Sequence, residues 1–153
     1  HAKDKAFSKS TVVIGALYAG LSVLLGAFAA HALKHIITPD QLDIFKTGVT
    51  YQMYHGLALL WLGVYVLHSS ASKTHLSRVC WLWTIGVLLF SGSLYLYVLT
   101  GYKFLVKVTP VGGIGIIVGW SIFIKASGVS SCTILPSSCS AKRSPTLRAE
   151  IIS

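Results

Sequence analysis

The feature that constrains this chain most is a series of four long apolar stretches that contain no Asp, Glu, Lys or Arg. They cover residues 11–30, 48–67, 79–102 and 108–124. A helix rises about 1.5 Å per residue, so about 20 residues cross a hydrocarbon core of about 30 Å. Inside that core a chain must satisfy its own backbone hydrogen bonds, as helices do. The sequence therefore predicts an all-α membrane protein, a bundle of four transmembrane helices.

The composition supports a membrane location. Of the 153 residues, 54% are hydrophobic and 11% are charged, less than half of the roughly 25% charged residues of a soluble domain. The net charge is +9, with 13 Lys and Arg against four acids, a balance that also occurs in nucleic-acid-binding proteins. Here the basic residues flank the apolar stretches, where they can meet anionic lipid headgroups. We therefore expect membrane lipid, and no nucleic acid, as their partner.

Three regions follow along the chain: a polar basic N-terminus at 1–10, the transmembrane domain at 11–124, and a Ser-rich flexible tail at 125–153. An alternative for the first stretch is a cleaved signal peptide, with the small residues around Phe28 as the cleavage site. The three further apolar stretches and the family resemblance described below favour a retained span.

The three cysteines divide between the transmembrane domain and the tail. Cys80 opens the third span and is expected to be a small buried apolar residue. Cys132 and Cys139 lie in the tail and can form a disulfide in an oxidising compartment. The sequence leaves that compartment open.

The connections between spans carry turn and capping signals. In the amphipathic stretch 31–47, Thr38 is placed as an N-cap, with Pro39 in the first turn and Gln41 three residues after the cap. We expect a short interfacial helix there that ends near Gly48, although the second span could continue past this glycine. Residues 103–107 are predicted to form a tight turn, and Thr109 and Pro110 to cap the fourth helix.

The Lys and Arg counts predict the orientation in the membrane. Four spans place both termini on one side together with the connection 68–78. Nine basic residues lie on that side and four on the other, so we expect both termini in the cytoplasm, or in the matrix if the membrane is mitochondrial. The first set is Lys3, Lys5, Lys9, Lys73, Arg78, Lys125, Lys142, Arg143 and Arg148, and the second is Lys34, Lys46, Lys103 and Lys107.

Four ordered segments together resemble a known family. They are GAFAAHAL at 26–33, FKTGVTYQMYH at 45–55, FSGSLYL at 90–96 and TPVGG at 109–113. In this order and spacing they resemble the small membrane-protein family of bacterial YgdD and animal transmembrane protein 256, over about residues 10–124. The resemblance implies a four-span protein of bacterial inner membranes or, in eukaryotes, of mitochondria. It supplies neither a substrate nor catalytic residues, Ala29 stands where the family often has Gly, and the tail lies outside the pattern.

Polar side chains within the apolar stretches are the candidate functional residues, because such groups are costly in lipid. Three interpretations stay open for the histidines: hydrogen bonding across the bundle, haem or metal ligation, and proton handling along a transport path. The first is favoured, since no Asp, Glu, Lys or Arg accompanies them within a span. The intramembrane polar candidates are His31, Gln52, His55, Ser91 and Ser93.

Small residues recur at helical spacing in the first and fourth spans, including a Gly-x-x-x-Gly pattern. Small residues let helices approach closely in lipid. They serve either the packing of this bundle or an outward face for a partner subunit or a second copy. The candidate helix-packing residues are Gly15, Ala19, Gly20, Gly26, Ala30, Gly92, Gly112, Gly113, Gly115 and Gly119.

These features favour a structural or accessory membrane subunit over an enzyme. The only acids near a span are Asp40 and Asp43, both in the amphipathic stretch, and no catalytic constellation is present. We expect no cofactor and no metal. The alternatives are a small transporter or channel-like protein, and a protein that ligates haem or metal through histidine.

Overall fold

The computed structural model describes residues 1–128, and this part of the chain is all-α. Of the predicted tail at 125–153, only the first four residues are among those described, and Cys132 and Cys139 lie outside them. A 3₁₀ turn at Leu33–His35 separates the first two helices. The four helices are α1 (Ala2–His31), α2 (Pro39–His68), α3 (Lys73–Thr100) and α4 (Phe104–Ala126). The prediction of an all-α chain with four long helices is confirmed, and α1 already includes most of the basic N-terminal segment.

Three of the helices are long and apolar enough to cross a membrane: α1 with the turn that follows it, α3, and α4. Helix α2 has 30 residues, like α1, but it carries more polar and aromatic side chains. Two of them, Gln52 and His55, are buried inside the bundle. Length and composition alone therefore identify three of the four predicted spans.

The helices form two antiparallel hairpins, each closed by contact between backbones. In the first, a Cβ atom on Gly15 of α1 would lie only 2.7 Å from the carbonyl oxygen of Gly56 in α2. In the second, a Cβ on Gly112 of α4 would lie 2.5 Å from the backbone nitrogen of Phe90 and 2.7 Å from the carbonyl oxygen of Gly86 in α3. Any side chain at these points would force the helices apart, so glycine sets the interhelical distance.

Large side chains join the two hairpins where α2 packs on α3. One buried cluster lies toward the end of α2 and the beginning of α3, and its members are Leu59, Leu62, Val66, Leu76, Val79, Cys80 and Trp83. A second cluster at the opposite end of the bundle contains Ala29, Leu33, Phe45 and Val98. The expectation that Cys80 is buried is confirmed. The core is thus one layer of apolar side chains between two pairs of helices, α1 with α2 and α3 with α4, and each pair is in close contact at glycine residues.

The start of α2 confirms the predicted capping signal and corrects the predicted helix end. The backbone N–H of Gln41 donates to the Thr38 hydroxyl at 3.3 Å, and the backbone N–H of Thr38 donates to the Gln41 side chain at 3.1 Å. A separate interfacial helix ending near Gly48 is wrong, because α2 runs on without interruption. Gly48 instead makes room for Tyr95, since a Cβ there would lie 2.7 Å from its ring.

The reversal between α3 and α4 lies earlier than predicted. Gly101 adopts the left-handed conformation, with φ of 73°, and its N–H donates to the carbonyl of Tyr97 at the end of α3. Such a cap favours glycine, and it completes the reversal before the predicted turn. Helix α4 therefore begins at Phe104, and the prediction that Pro110 caps it is wrong because this proline lies inside the helix. Interior prolines are tolerated in membrane helices where neighbours satisfy the freed backbone groups.

Two alanine substitutions on α1 test the glycine-closed contact. Gly15→Ala places its methyl group against the α2 backbone, and we expect a loss of about 1–3 kcal/mol of stability from overpacking. Gly20→Ala is the matched control, because nothing lies within 4 Å of the added Cβ. Since alanine favours helix by up to about 1 kcal/mol, this variant should be as stable as the parent or slightly more so.

Unfolding in detergent by stepwise addition of SDS, followed by Trp fluorescence, measures both variants. Equal stability of the two proteins would contradict the assignment of Gly15 to the interface.

Candidate functional site

A chain of hydrogen bonds through the bundle interior connects α1, α2 and α3. The hydroxyl of Tyr18 donates to the carbonyl of Thr84 at 2.8 Å, and the Gln52 side chain donates to the carbonyl of Tyr18 at 3.0 Å. The hydroxyl of Tyr95 then donates to the Gln52 side-chain oxygen at 2.8 Å. Gln52 is 6% exposed, so its amide is the link between the three helices. The intramembrane polar candidates from the sequence include Gln52 but neither tyrosine.

The two predicted serines of α3 bond to neighbouring helices. The Ser91 hydroxyl donates to the carbonyl of Gly48 in α2 at 2.7 Å. The hydroxyls of Ser93 and Thr109, on α3 and α4, lie 2.6 Å apart. Thr109 thus stabilises the contact of α4 with α3, a different role from the predicted helix cap.

A further polar contact, absent from the sequence prediction, lies near the beginning of α1. The Ser8 hydroxyl donates to the carbonyl of Gly63 at 2.6 Å, and the Thr11 hydroxyl lies 3.5 Å from the sulfur of Cys80. Ser8 belongs to the segment interpreted as a polar N-terminus, but it is buried. A serine and a threonine three residues apart on one helix face are a signal that could have predicted this contact.

His55 lies in the middle of α2 and both of its ring nitrogens are engaged. The indole N–H of Trp120 in α4 donates to His55 Nε2 at 3.1 Å. Because an indole is only a donor, Nε2 must be the acceptor, and Nδ1 of this neutral tautomer donates to the carbonyl of Tyr51 at 2.8 Å. A metal or haem iron at Nε2 would have to displace Trp120.

An aromatic cluster surrounds this bond and connects α2 to α4, which packs on α3. The rings of Trp83 and Trp120 have centroids 4.5 Å apart, and the His55 ring lies 6.0 Å from that of Trp120. Phe123, Trp61 and Tyr65 extend the cluster, with centroids 4.8–5.5 Å apart. Trp83, near the start of the third apolar stretch, is 1% exposed and belongs to this interior cluster.

His31 does not share a site with His55. It is exposed at the end of α1. Gly26 of α1 lies beside Val49 of α2, so these two residues are at the same height in the bundle. His31 lies five residues beyond Gly26, and His55 lies six residues beyond Val49 in the opposite direction along the bundle. The two histidines are therefore about eleven residues of helix apart, about 16 Å. Within residues 1–128, no group of three His, Cys, Asp or Glu side chains is arranged to hold a metal ion. The geometry therefore joins His55 to Trp120 and leaves His31 apart.

Two buried polar atoms have no hydrogen-bond partner within the described part of the chain, the indole nitrogen of Trp83 and the hydroxyl of Thr84. The Trp83 indole packs against α4 at Gly119, where a Cβ would lie 2.8 Å from the ring nitrogen. The Thr84 carbonyl, by contrast, accepts from Tyr18. The other buried polar side chains, including Gln52, His55 and Ser91, are bonded within the bundle, so the interior is a set of neutral interhelical contacts.

The predicted small residues divide into those that contact a neighbouring helix and those that do not. Gly15, Ala19, Gly112 and Gly119 lie in the close helix contacts, and Gly26, Gly113 and Gly115 make ordinary van der Waals contacts. By contrast, nothing lies within 4 Å of a Cβ added at Gly20 or Gly92, and Ala30 is exposed. Both interpretations of the small residues therefore have residues that fit them.

Several close-contact glycines lie outside the predicted set: Gly48, Gly56 and Gly63 on α2, and Gly86 on α3. The spacings of eight and seven residues along α2 place its three glycines on one face of the helix. That periodicity was available in the sequence. A search for spacing of four, which found Gly115 and Gly119, could not detect it.

Comparisons with known proteins agree with this architecture. A family described as protein of unknown function, DUF423, matches residues 25–113. A UPF0382 membrane protein of Staphylococcus aureus is 43% identical over 119 residues, which cover 78% of this chain and 95% of the relative. The UPF0382 membrane protein YwdK of Bacillus subtilis is 37% identical over 123 residues, covering 78% of this chain and 96% of YwdK. The chain belongs to this family of multi-pass membrane proteins. No solved structure matches it.

The DUF423 region contains most of the hydrogen-bonded interior. Gln52, His55, Ser91 and Tyr95 all lie between residues 25 and 113, which also include the capping box at the start of α2. Trp120 lies beyond that region. The family resemblance inferred from the ordered segments is confirmed.

A double-mutant cycle tests the link between Gln52 and Tyr95. Tyr95→Phe removes the donor and Gln52→Leu removes the acceptor, and each single variant should be less stable than the parent. Because the two groups bond directly, we expect the double variant to lose less than the sum, with a coupling of about 0.6 kcal/mol, the average for such bonds in a membrane protein, and at most about 1.7 kcal/mol.

SDS unfolding of the four proteins gives the coupling. The pair Tyr95→Phe and Ser8→Ala, which share no partner, is the control and should be additive. A coupling of zero between Gln52 and Tyr95 would contradict the bond.

Proposed function

We propose that this protein is a non-catalytic accessory subunit that packs against a larger membrane assembly through the outer face of α1. The observation that carries the proposal is that α1 has two faces of small residues, while its packing against α2 uses only one of them. Gly15 and Ala19 contact α2. The second face remains unpartnered within the bundle.

The second face is defined by Ala16, Gly20, Ala27 and Ala30, all exposed. At about 100° per residue these four lie within about 80° of one another on the helix. The neighbouring exposed strip consists of large side chains, among them Leu17, Leu21 and Leu24, which are 48–67% exposed. The face consists of small residues apart from Val23, which is 61% exposed and lies between Gly20 and Ala27, and small residues favour close approach of a second helix in lipid by packing.

The interior supports an accessory role over transport or haem binding. Transport needs polar groups along a path, but the polar atoms of Gln52 are bonded to α1 and α3, and those of His55 are bonded to Trp120 of α4 and to the carbonyl of Tyr51 in its own helix. Haem or metal ligation needs a free ring nitrogen on His55, and Trp120 occupies Nε2. We therefore retain the accessory role.

Substitutions on the outer face of α1 test the assembly. The double variant Gly20→Leu, Ala27→Leu places two bulky side chains on that face without touching the contact with α2. We expect the native complex, separated by blue-native electrophoresis from gently solubilised membranes, to be lost or reduced to the size of the single chain.

Gly92→Leu on α3 is the matched control, because its added side chain also meets open space. It should leave the complex intact. Migration of the parent protein only at monomer size would contradict the proposal, and equal loss with Gly92→Leu would show that the effect does not belong to α1.

We further propose that α2 crosses the bilayer together with the other three helices. It lies antiparallel to α1 over most of its length, since Gly63 meets the Ser8 end of α1 and Val49 meets Gly26. Gln52 and His55 on α2 are buried and hydrogen-bonded, which lowers the cost of placing them at membrane depth. With four spans, the excess of basic residues favours both termini in the cytoplasm, or in the matrix of a mitochondrion.

Cysteine accessibility tests this topology. In a chain whose native cysteines are changed to alanine, Lys34→Cys should react with a membrane-impermeant maleimide added to intact cells. Lys73→Cys should react only after permeabilisation, because the two positions lie at opposite ends of α2. Labelling of both from the same side would contradict a membrane-crossing α2.

A further inference from the structure

An apolar groove runs along the outer surface between α3 and α4. Its volume is about 540 Å³. The α3 wall is formed by Leu82, Ile85 and Leu89, and the α4 wall includes Val111 and Gly115. The groove lies on the surface of the second hairpin, away from the outer face of α1.

Glycine creates the groove. Gly86 and Gly115 both line it, and a Cβ added to Gly115 would lie 3.8 Å from the Cα of Gly86 and 4.0 Å from the carbonyl oxygen of Leu82. These are ordinary contact distances, so Gly115 forms part of the floor of the groove without sealing the interface. A larger side chain at this position would project over the floor.

The two ends of the groove differ in polarity. At the beginning of α3 it is lined by Ser77 and Arg78, with Trp81 beside them. At the other end it is lined by Leu89 and Val111, which are apolar. A guanidinium binds phosphate through several N–H donors, and an aromatic side chain such as Trp81, which is 63% exposed, is typical of the headgroup level.

The length of the groove fits one leaflet. From Arg78 to Leu89 is eleven residues of helix, about 16 Å, which is about half of a hydrocarbon core of about 30 Å. A separate hollow of about 250 Å³, lined by Leu96 and Phe104 among others, lies toward the opposite end of α3 and α4, so a transmembrane helix from a partner or from a second copy would have to bridge both hollows. An acyl chain attached to a headgroup at Arg78 ends where this groove ends.

The charge at this end of the bundle also favours an anionic headgroup. The acids of the described chain are Asp4, Asp40 and Asp43, and the last two lie near the start of α2, at the opposite end. The basic residues at the same end as Arg78, within residues 1–128, are Lys3, Lys5, Lys9, Lys73 and Lys125.

We propose that this groove binds one anionic glycerophospholipid, with its phosphate at Arg78 and Ser77 and an acyl chain between α3 and α4. Arg78 selects for negative charge, and the groove holds the chain. The binding site is independent of the accessory role proposed above, because it lies on the other hairpin.

Native mass spectrometry of the full chain in detergent tests the proposal. The protein is given equal amounts of phosphatidylglycerol and phosphatidylcholine with the same acyl chains. We expect phosphatidylglycerol to be retained about fivefold more, the ratio that corresponds to about 1 kcal/mol for a basic residue near anionic lipid. Arg78→Gln should abolish this preference, and Lys9→Gln, a charge control at the same end, should keep it.

Substitutions in the groove separate a specific site from general attraction. Gly115→Leu should lower retention of both lipids several-fold, whereas Gly115→Ala, whose methyl group fits the floor, should behave as the parent. Ile85→Trp, from the opposite wall, is a second blocking variant, and Gly92→Leu is a control outside the groove. Thermal unfolding confirms that each variant is folded.

Four results would overturn the proposal. Equal retention of the two lipids by the parent protein would remove the role of Arg78, and equal effects of Arg78→Gln and Lys9→Gln would assign the preference to diffuse charge. Unchanged lipid retention in both Gly115→Leu and Ile85→Trp would place the lipid elsewhere. Dimer peaks that are present for the parent protein and absent for both Gly115→Leu and Ile85→Trp would instead assign the groove to a second copy of the chain.

Discussion

Contact between bare helix backbones determines how this bundle is built. Lipid provides no hydrophobic drive to bring helices together, so dispersion contacts and interhelical bonds must do so. Gly15 on Gly56 and Gly112 on Gly86 bring each pair of helices to a distance that no side chain permits. The hydrogen bond of Ser8 with the carbonyl of Gly63 depends on the closeness of α1 and α2, because a short serine side chain reaches a neighbouring carbonyl only when the backbones are near.

Hydrogen bonds in the interior further stabilise the helix arrangement that the close glycine contacts allow. Gln52 connects α1 and α3 through α2, and His55 reaches across to Trp120 on α4. An unpaired amide or imidazole in the interior would carry a large desolvation cost. The same groups therefore specify one arrangement of the helices, since a shifted register would leave them without partners. Such an interior suits a protein whose outer surfaces carry its function.

The sequence predicted the membrane, the all-α class, the family and the cap at Thr38, because each depends on composition or on residues close together in the chain. It failed where contacts between distant residues decide. Gly48 resembled a helix end, but its partner is Tyr95, and Pro110 resembled a helix start, but Gly101 had already reversed the chain. His31 and His55 were grouped by residue type, and only the helix pairing reveals that they lie at different depths. The partners Tyr18, Tyr95 and Trp120 could not be found without knowledge of which helices are neighbours.

The inward-facing polarity of α2 has a consequence for biosynthesis. If α2 spans the membrane as proposed above, a helix that carries Gln52 and His55 enters lipid at a high cost when it is alone, because those groups then face hydrocarbon. Helix α1 precedes it, is strongly apolar, and supplies the carbonyl of Tyr18 that accepts from Gln52. Insertion of the two as a preassembled hairpin lowers that cost. The order of helices along the chain thus lets the Gln52 amide N–H pair with α1 first, and Tyr95 of α3 and Trp120 of α4 then supply the remaining partners of Gln52 and His55.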